Sequence, residues 1–205
     1  MTGPLIWYAA YGSNLHLVRL TAYLAGGRPP GGARVYPGCR DPSPPRAMRP
    51  ITLPGRVHFA LESAVWTGGM AFYDPLDPGD TPARAYLLTA EQFADLAAQE
   101  MRRPPGTDLD LTPALTHGRA TLGPGRYETL VHPGTLDGLP LLTFTAPWRT
   151  ADAPLAPPSL GYLRHLAAGL RESHAWPTDR IAAYLSTRPG AAGHWSAAAL
   201  TELLA

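Results

Sequence analysis

The chain has 205 residues, of which 45% are hydrophobic and 16% are charged, and its formal net charge at pH 7 is +1. This length and apolar content suit one sizeable core, so a single domain over residues 1–205 is expected. The near-zero net charge excludes the strongly basic surface typical of nucleic-acid-binding proteins. A small molecule is therefore the expected partner class.

Short elements separated by proline and glycine follow one another along the chain. In chain order they are predicted as a strand at 6–10, a helix at 15–24, strands at 57–62, 70–73 and 83–88, a helix at 90–102, strands at 127–131 and 141–145, and helices at 160–172, 179–185 and 197–204. Segments 26–55 and 103–125 are predicted as long loops. The pattern indicates an α+β protein in which strands dominate.

The first residues carry neither the basic segment nor the apolar core of a signal peptide, and no apolar run reaches the roughly 18 residues of a membrane span. The one cysteine, Cys39, excludes an internal disulfide. We expect a cytoplasmic protein without membrane association, as either a monomer or a homodimer.

The first strand runs directly into a sharp turn in the stretch IWYAAYGSNL, positions 6–15. Gly12 permits a close backbone approach, and Ser13 or Asn14 is suited to cap the helix that follows. The first amides of that helix then point outward and favour an anion. An ordinary capped strand-to-helix turn explains the same residues, so both interpretations stand.

A second informative stretch is TAEQFADLAAQE, positions 89–100. Thr89 and Gln92 fit a capping box, which fixes the helix register. In that register Phe93, Leu96, Ala97 and Glu100 share one face, so Glu100 continues the apolar stripe. A desolvated carboxyl group there is suited to general acid–base chemistry. The alternative is that Glu100 ends the helix and pairs with Arg102 or Arg103 in solvent.

These two stretches together resemble the γ-glutamylcyclotransferase family, whose members open with a Tyr-Gly-Ser-Asn-Leu loop and carry a catalytic glutamate on a later helix. The stretch FALESAVWTGGMAFYDPLDPGD, 59–80, is similar to the family's Trp-x-Gly-Gly hairpin, and PSLGYLRHLAAGLRESHAWP, 158–177, to its C-terminal Pro-Ser-x-x-Tyr helix. The resemblance covers most of residues 5–185.

The resemblance implies a small mixed β-barrel with flanking helices, and a cofactor-independent enzyme that converts a γ-glutamyl amine or peptide to 5-oxoproline and a free amine. By the same resemblance Glu100 is the catalytic acid/base. The residues expected to bind the substrate are Tyr11, Gly12, Ser13, Asn14, Leu15 and Phe144.

The chain departs from the family pattern at two places. It inserts a loop at about 101–125 after the glutamate, which is interpreted either as a lid that selects the leaving amine or as a surface excursion packed permanently on the domain. Phe144 aligns where the family often has a tyrosine, so Tyr127 or Tyr162 is left to supply a hydroxyl. A helical extension is expected at about 186–205.

Other chemistries have weaker support in the sequence. The seven histidines show no metal-ligand spacing, and no metal is expected. Asp74, Asp77 and Asp80 fit a hairpin turn better than a calcium loop. Cys39 is interpreted as inert, although the neighbouring Arg40 is suited to activate a thiol.

Arg102 and Arg103 are interpreted either as ligands of a substrate carboxylate or as favourable charges at a helix C-terminus. Two functions follow from the whole sequence: a cyclotransferase of unidentified substrate, or a catalytically idle relative that binds a small carboxylate or serves as a scaffold.

Overall fold

The computed structural model describes residues 3–29, 34–63 and 66–205. The chain forms two compact units, which are described in turn. The first unit comprises Met1–Ala10, Val18–Ile51 and Arg84–Pro147, and the second comprises Tyr11–Leu17, Thr52–Ala83 and Trp148–Ala205. The expectation of a single domain over 1–205 stays a prediction.

Most residues of a mixed six-stranded sheet belong to the first unit. Its strands are β1 (Leu5–Ala10), β2 (Met48–Pro54), β5 (Asp80–Thr89), β6 (Arg119–Thr121), β7 (Thr129–Leu136) and β8 (Leu139–Thr145). They lie in the order β2-β5-β1-β8-β7-β6. β1 pairs with β5 antiparallel and with β8 parallel. Every residue of β1 after Leu5 is buried, as expected for a central strand.

Strand β7 changes its pairing register against β8 between Val131 and Gly134. Pro133 lies at this point and has no amide hydrogen to donate, so an irregularity replaces the regular ladder. Three helices complete the unit, namely α1 (Leu17–Ala25), α2 (Ala90–Glu100) and α3 (Thr112–His117).

The second unit combines a β-hairpin with three helices. β3 (Arg56–Ala60) pairs antiparallel with β4 (Met70–Asp74), with Arg56 opposite Asp74 and Ala60 opposite Met70. The helices are α4 (Leu160–His174), α5 (Thr178–Ser186) and α6 (Ala197–Leu203). Ser159 caps α4 and Ser196 caps α6 through their hydroxyl groups. The helices bury their apolar stripes, including Leu163, Leu166, Leu170, Ile181, Leu185 and Leu200.

The predicted α+β class is confirmed, but the expected closed barrel is not found among the described residues. Their strands form the six-stranded sheet, with β2 and β6 at its edges, and a separate two-stranded sheet. Every predicted strand and helix has a counterpart within a few residues. The Asp74–Asp80 connection is a turn, but it is not a hairpin, because β4 pairs with β3 and β5 pairs with β1.

Three elements lie within segments that were predicted as loops. β2 has the sequence MRPITLP and is largely exposed. Its two prolines are typical of loops, but prolines also occur in edge strands, so the sequence did not distinguish the two. α3 and β6 lie within 103–125, where Pro113 occupies the first turn of α3 and Gly118 ends it in a left-handed conformation. Residues 30–33 of the first predicted loop, and 64–65 of the predicted hairpin, lie outside the described residues.

The C-terminal 186–205 segment contains α6. That this segment is an extension of the domain stays a prediction. Within the described ranges, no helix is both long enough and apolar enough to cross a membrane.

Candidate functional site

The Tyr-Gly-Ser-Asn-Leu stretch lies in the second unit and forms one compact turn. Ser13–Leu15 are a single 3-10 turn, with Gly12 at its N-cap and no side chain capping it. Tyr11 is buried, with its ring centroid 5.6 Å from that of Tyr73. Asn14 and Leu15 are buried, and Ser13 is half-buried. Ser13 and Asn14 therefore lie inside the turn. That either of them caps the helix that follows stays a prediction.

Close packing leaves little space for a side chain at Gly12, whose φ is −103°. A Cβ at this position would lie 3.3 Å from the Tyr162 hydroxyl oxygen and 3.6 Å from the Ala71 Cβ. The Tyr162 hydroxyl also accepts a hydrogen bond from the Ala71 amide at 3.2 Å. Glycine thus lets the turn lie against Tyr162.

The N-terminus of α1 already contacts a carboxylate of the chain itself. The Leu17 amide donates to Glu172 Oε2 at 3.1 Å, and His16 Nε2 lies 3.2 Å from Glu172 Oε1. A negative charge is favourable at this helix end. The Leu17 amide is thus occupied by the side chain of Glu172, and the anion site expected at this turn stays a prediction.

Helix α2, in the first unit, begins as the sequence predicted. The Thr89 hydroxyl accepts from the Gln92 amide at 3.1 Å, and the Gln92 side chain accepts from the Thr89 amide at 3.1 Å, which confirms the capping box. Phe93, Leu96 and Ala97 are buried. Glu100 is the last residue of the helix and is half-buried.

A buried arginine and two tyrosines, all in the first unit, share the electrostatic environment of Glu100. Arg19 Nη2 donates to the Tyr36 hydroxyl at 2.8 Å, and the Tyr23 and Tyr36 ring centroids are 4.2 Å apart. Burial acts to lower the pKa of Arg19, but Tyr23, Tyr36 and the charge of Glu100 raise it overall. Burial, followed by the charge of Glu100, raises the pKa of Tyr23 well above its ordinary value.

Sequence reasoning missed this arginine. Arg19 is only 3% exposed although it carries a charge. The sequence feature that could have indicated its burial is the i, i+4 spacing of Arg19 and Tyr23 in a mostly apolar helix. This spacing places the guanidinium over the aromatic ring.

Phe144 lies in an aromatic cluster of the first unit. Its ring centroid is 5.2 Å from Tyr8, 6.1 Å from Phe93 and 6.1 Å from Tyr127, and the side chain is 4% exposed. Of the two tyrosines considered as hydroxyl donors, Tyr127 is therefore beside Phe144. Tyr162 instead contacts Gly12 in the second unit.

Glu128 contacts both ends of the segment that follows Glu100. The Glu128 carboxylate pairs with Arg103 and accepts from the Gly125 amide at 2.6 Å. A Cβ at Gly123 would lie 2.3 Å from Glu128 Oε2, so a larger residue there would displace the Glu128 carboxylate. Arg103 is thus a partner of Glu128, whereas Arg102 is exposed in a left-handed conformation. The lid hypothesis stays a prediction.

Cys39 has no activated thiol. Its neighbour Arg40 donates to Asp95 through both its amide and its guanidinium, at 2.8 and 3.0 Å. Burial, with the nearby charge of Asp95, raises the pKa of the Cys39 thiol to about 12. The interpretation of Cys39 as inert agrees with this environment. Among the described residues, no group of three or more His, Cys, Asp or Glu side chains is arranged to hold a metal ion.

The predicted site residues thus lie in three groups. Tyr11–Leu15 form the turn in the second unit, while in the first unit Glu100 neighbours Arg19 and Tyr23, and Phe144 packs among aromatic rings. Their assigned roles in catalysis and substrate binding stay predictions.

Comparison with known proteins identifies the fold. No protein-family model matches the chain. The structure is similar to a solved γ-glutamyl cyclotransferase, with a TM-score of 0.53 and 14% identity over 98% of both chains. It is also similar to a crystal structure of an uncharacterised protein from Homo sapiens, with a TM-score of 0.51 and 17% identity over 90% of this chain and 89% of the other. The chain therefore has the γ-glutamyl cyclotransferase fold.

A similar sequence occurs within a much longer protein. The chain is 31% identical, over 202 aligned residues, to histone deacetylase 5 of Arabidopsis thaliana. The match covers 88% of this chain but only 30% of the plant protein.

Proposed function

We propose that the protein is a cyclotransferase that converts a γ-glutamyl amine or peptide to 5-oxoproline and a free amine. The observation that carries this proposal is the structural likeness to a γ-glutamyl cyclotransferase over nearly the whole chain. The half-buried Glu100 at the end of a well-capped helix supports it, because the reaction needs one proton-transfer group.

The proposed reaction needs no enzyme nucleophile. The α-amine of the substrate attacks its own γ-carbonyl carbon, a five-membered ring closes through the new C–N bond, and the original amide C–N bond breaks. Because both reacting groups belong to one molecule, the protein contributes mainly by holding the productive rotamer. The α-nitrogen loses two protons as it changes from an ammonium group to the ring amide. Glu100 relays them in turn to the departing nitrogen, which leaves as an ammonium ion, so the protons balance.

Substrate recognition is assigned to Tyr11, Gly12, Ser13, Asn14 and Leu15, with Phe144 as a further contact. The turn has the compact, buried form that a binding loop needs, since Tyr11, Asn14 and Leu15 have little exposed surface. Amide groups of such a turn are suited to steady the developing oxyanion. The cytoplasm is the compartment proposed for this activity.

Incubating the full chain with a mixed panel of γ-glutamyl amines and γ-glutamyl peptides tests the proposal. Mass spectrometry should detect 5-oxoproline with at least one member, together with an equal amount of the free amine. A folded chain that releases none from any member would instead favour the catalytically idle relative. The activity named for the plant protein is not proposed here, because the match covers only 30% of that protein.

A further inference from the structure

A cavity of about 360 Å³ lies within the second unit and shares no residue with the predicted cyclotransferase site. Arg56 from β3 lines it together with Arg180 and Tyr184 from α5, and with Trp176 before that helix and Arg188 after it. We call these five residues the arginine pocket. Its volume lies within the range of small-molecule sites.

Two of the three guanidinium groups lie over aromatic rings. Arg180 Cζ is 4.0 Å from the centroid of the Trp176 ring, and Arg188 Cζ is 4.7 Å from that of Tyr184. Arg188 Nε also donates to the Tyr184 carbonyl at 3.2 Å. Neither arginine forms an ion pair with a carboxylate of the residues described. These contacts orient the exposed Arg180 and the half-buried Arg188 and leave their guanidinium groups available to an anion.

The third guanidinium, of Arg56, is fixed by the backbone. Its Nη2 donates to the Pro78 carbonyl at 2.6 Å, and its Nη1 lies 3.7 Å from Asp77 Oδ1. Its Nε is buried and has no hydrogen-bond partner within the described ranges. A Cβ at Gly79 would lie 3.3 Å from this atom, so the glycine makes room for the guanidinium. Arg56 is therefore a positioned donor whose hydrogen-bonding capacity is only partly used.

The charges around the cavity do not balance. Three arginines face it, and Asp80 is the one carboxylate among its described lining residues. Like charges that converge on a cavity repel one another unless an anion joins them. Asp80 and Asp77, which lies 3.7 Å from Arg56, offset part of the charge, and the positive charge that remains favours an anion. Planar guanidinium groups bind phosphate through paired hydrogen bonds, and a phosphate monoester carries −1.5 to −2 at neutral pH.

The Trp176 and Tyr184 rings add apolar wall to the cavity. A cavity of this size also has room for more than a single phosphate group. We propose that the arginine pocket binds a phosphate monoester of a small organic molecule, with the arginines holding the phosphate and the aromatic side chains contacting the organic group. The inference stands independently of the proposed cyclotransferase activity.

Calorimetric titration of the full chain with phenyl phosphate, inorganic phosphate, phenol and succinate tests the proposal. Phenyl phosphate should bind more tightly than inorganic phosphate, and phenol should not bind. Arg180→Ala and Arg188→Ala should each weaken phenyl phosphate binding about tenfold or more, since each removes a charged hydrogen-bonding group. Arg28→Ala, which changes an exposed arginine elsewhere, should bind like the unmodified chain.

Trp176→Leu sharpens the test, because it should reduce the preference for phenyl phosphate over inorganic phosphate while phosphate binding persists. Thermal unfolding of each variant shows whether it is folded. The proposal is overturned if phenyl phosphate does not bind at millimolar concentration, if succinate binds equally well, or if folded Arg180→Ala and Arg188→Ala variants bind like Arg28→Ala.

Discussion

Helix α2 carries two carboxylates in contrasting surroundings, Asp95 in its middle and Glu100 at its end. Asp95 is fully buried and accepts hydrogen bonds from the Arg40 amide, the Arg40 guanidinium and the Gly106 amide. Burial acts to raise the pKa of Asp95, but these donors hold it below its ordinary value. Glu100 is only half-buried, and its charge acts on Arg19 and Tyr23.

The difference fits a structural role for Asp95 and the proton-transfer role that is proposed for Glu100. Asp95 connects three parts of the chain, so its charge is committed to the fold. Glu100 lies at the helix end with part of its surface accessible, as a proton-transfer group needs. Two carboxylates on one helix therefore predict opposite outcomes when each is replaced by its amide.

The largest effect is expected from Glu100→Gln. The amide keeps the size of the side chain but cannot take a proton, so 5-oxoproline release should fall by roughly 10²–10⁴-fold, the usual contribution of a positioned general base. The melting temperature should change little. Near-normal release by a folded Glu100→Gln variant would remove Glu100 from the proposed mechanism.

Asp95→Asn should act on stability instead of turnover. An amide cannot reproduce the charged hydrogen bonds to Arg40, and we expect a loss of about 2–3 kcal/mol in the free energy of unfolding. Urea denaturation measures it. Asp108→Asn is the matched control, because Asp108 also pairs with Arg40 at 2.6 Å but is 76% exposed, and such a pair contributes little. Equal losses in both variants would contradict the structural role of Asp95.

Acid should erase the difference between the unmodified chain and Asp95→Asn. Because the folded-state pKa of Asp95 lies below 3.8, its ordinary value, the unfolded chain takes up the proton first as the pH falls. The stability contributed by this group is therefore complete above about pH 4 and is lost as the pH falls through the folded-state pKa. Urea midpoints of the two proteins between pH 6 and pH 3 should converge, and a constant gap would refute this assignment.

The α2 region also shows what the sequence can predict about this molecule. The capping box depends on residues three apart, and the apolar stripe depends on residues within one helix. Both could therefore be predicted from the local sequence. The partners of Asp95 lie far from it along the chain, at Arg40 and Gly106. Nothing in the local pattern distinguishes Asp95 from a solvated carboxylate, although the structure buries it completely.

The same limit applies to the Tyr-Gly-Ser-Asn-Leu turn and to the longer loops. The sequence predicted a turn with a required glycine, but the reason for the glycine is the Tyr162 hydroxyl, which lies 150 residues further on. β2 and α3 were missed because prolines within them imitate loop composition. The arginine pocket combines β3 with α5, and only the folded chain shows that arrangement.

A smaller effect is expected at the start of α2. Thr89→Ala removes the hydroxyl that accepts from the Gln92 amide, at a cost of about 1 kcal/mol and a melting temperature lower by about 2–4 °C. Thr89→Ser keeps the hydroxyl and is the control. Turnover should be unchanged in both at a temperature where they are folded. If the alanine and serine variants have the same melting temperature, the capping box contributes no measurable stability.

The smallest effect is expected at Cys39, which packs against the same helix. Its Sγ lies 3.8 Å from the Gln92 carbonyl and 3.7 Å from Gln99 Nε2. With a thiol pKa of about 12, only a very small fraction is thiolate at neutral pH, and the thiolate is the reactive form. Iodoacetamide should therefore label the folded chain slowly, and the chain unfolded in urea much faster. Turnover should be unchanged by the reagent over the same period, because ring closure uses no thiol. Rapid stoichiometric labelling of the folded chain with loss of turnover would show instead that Cys39 is exposed to reagent and coupled to the site.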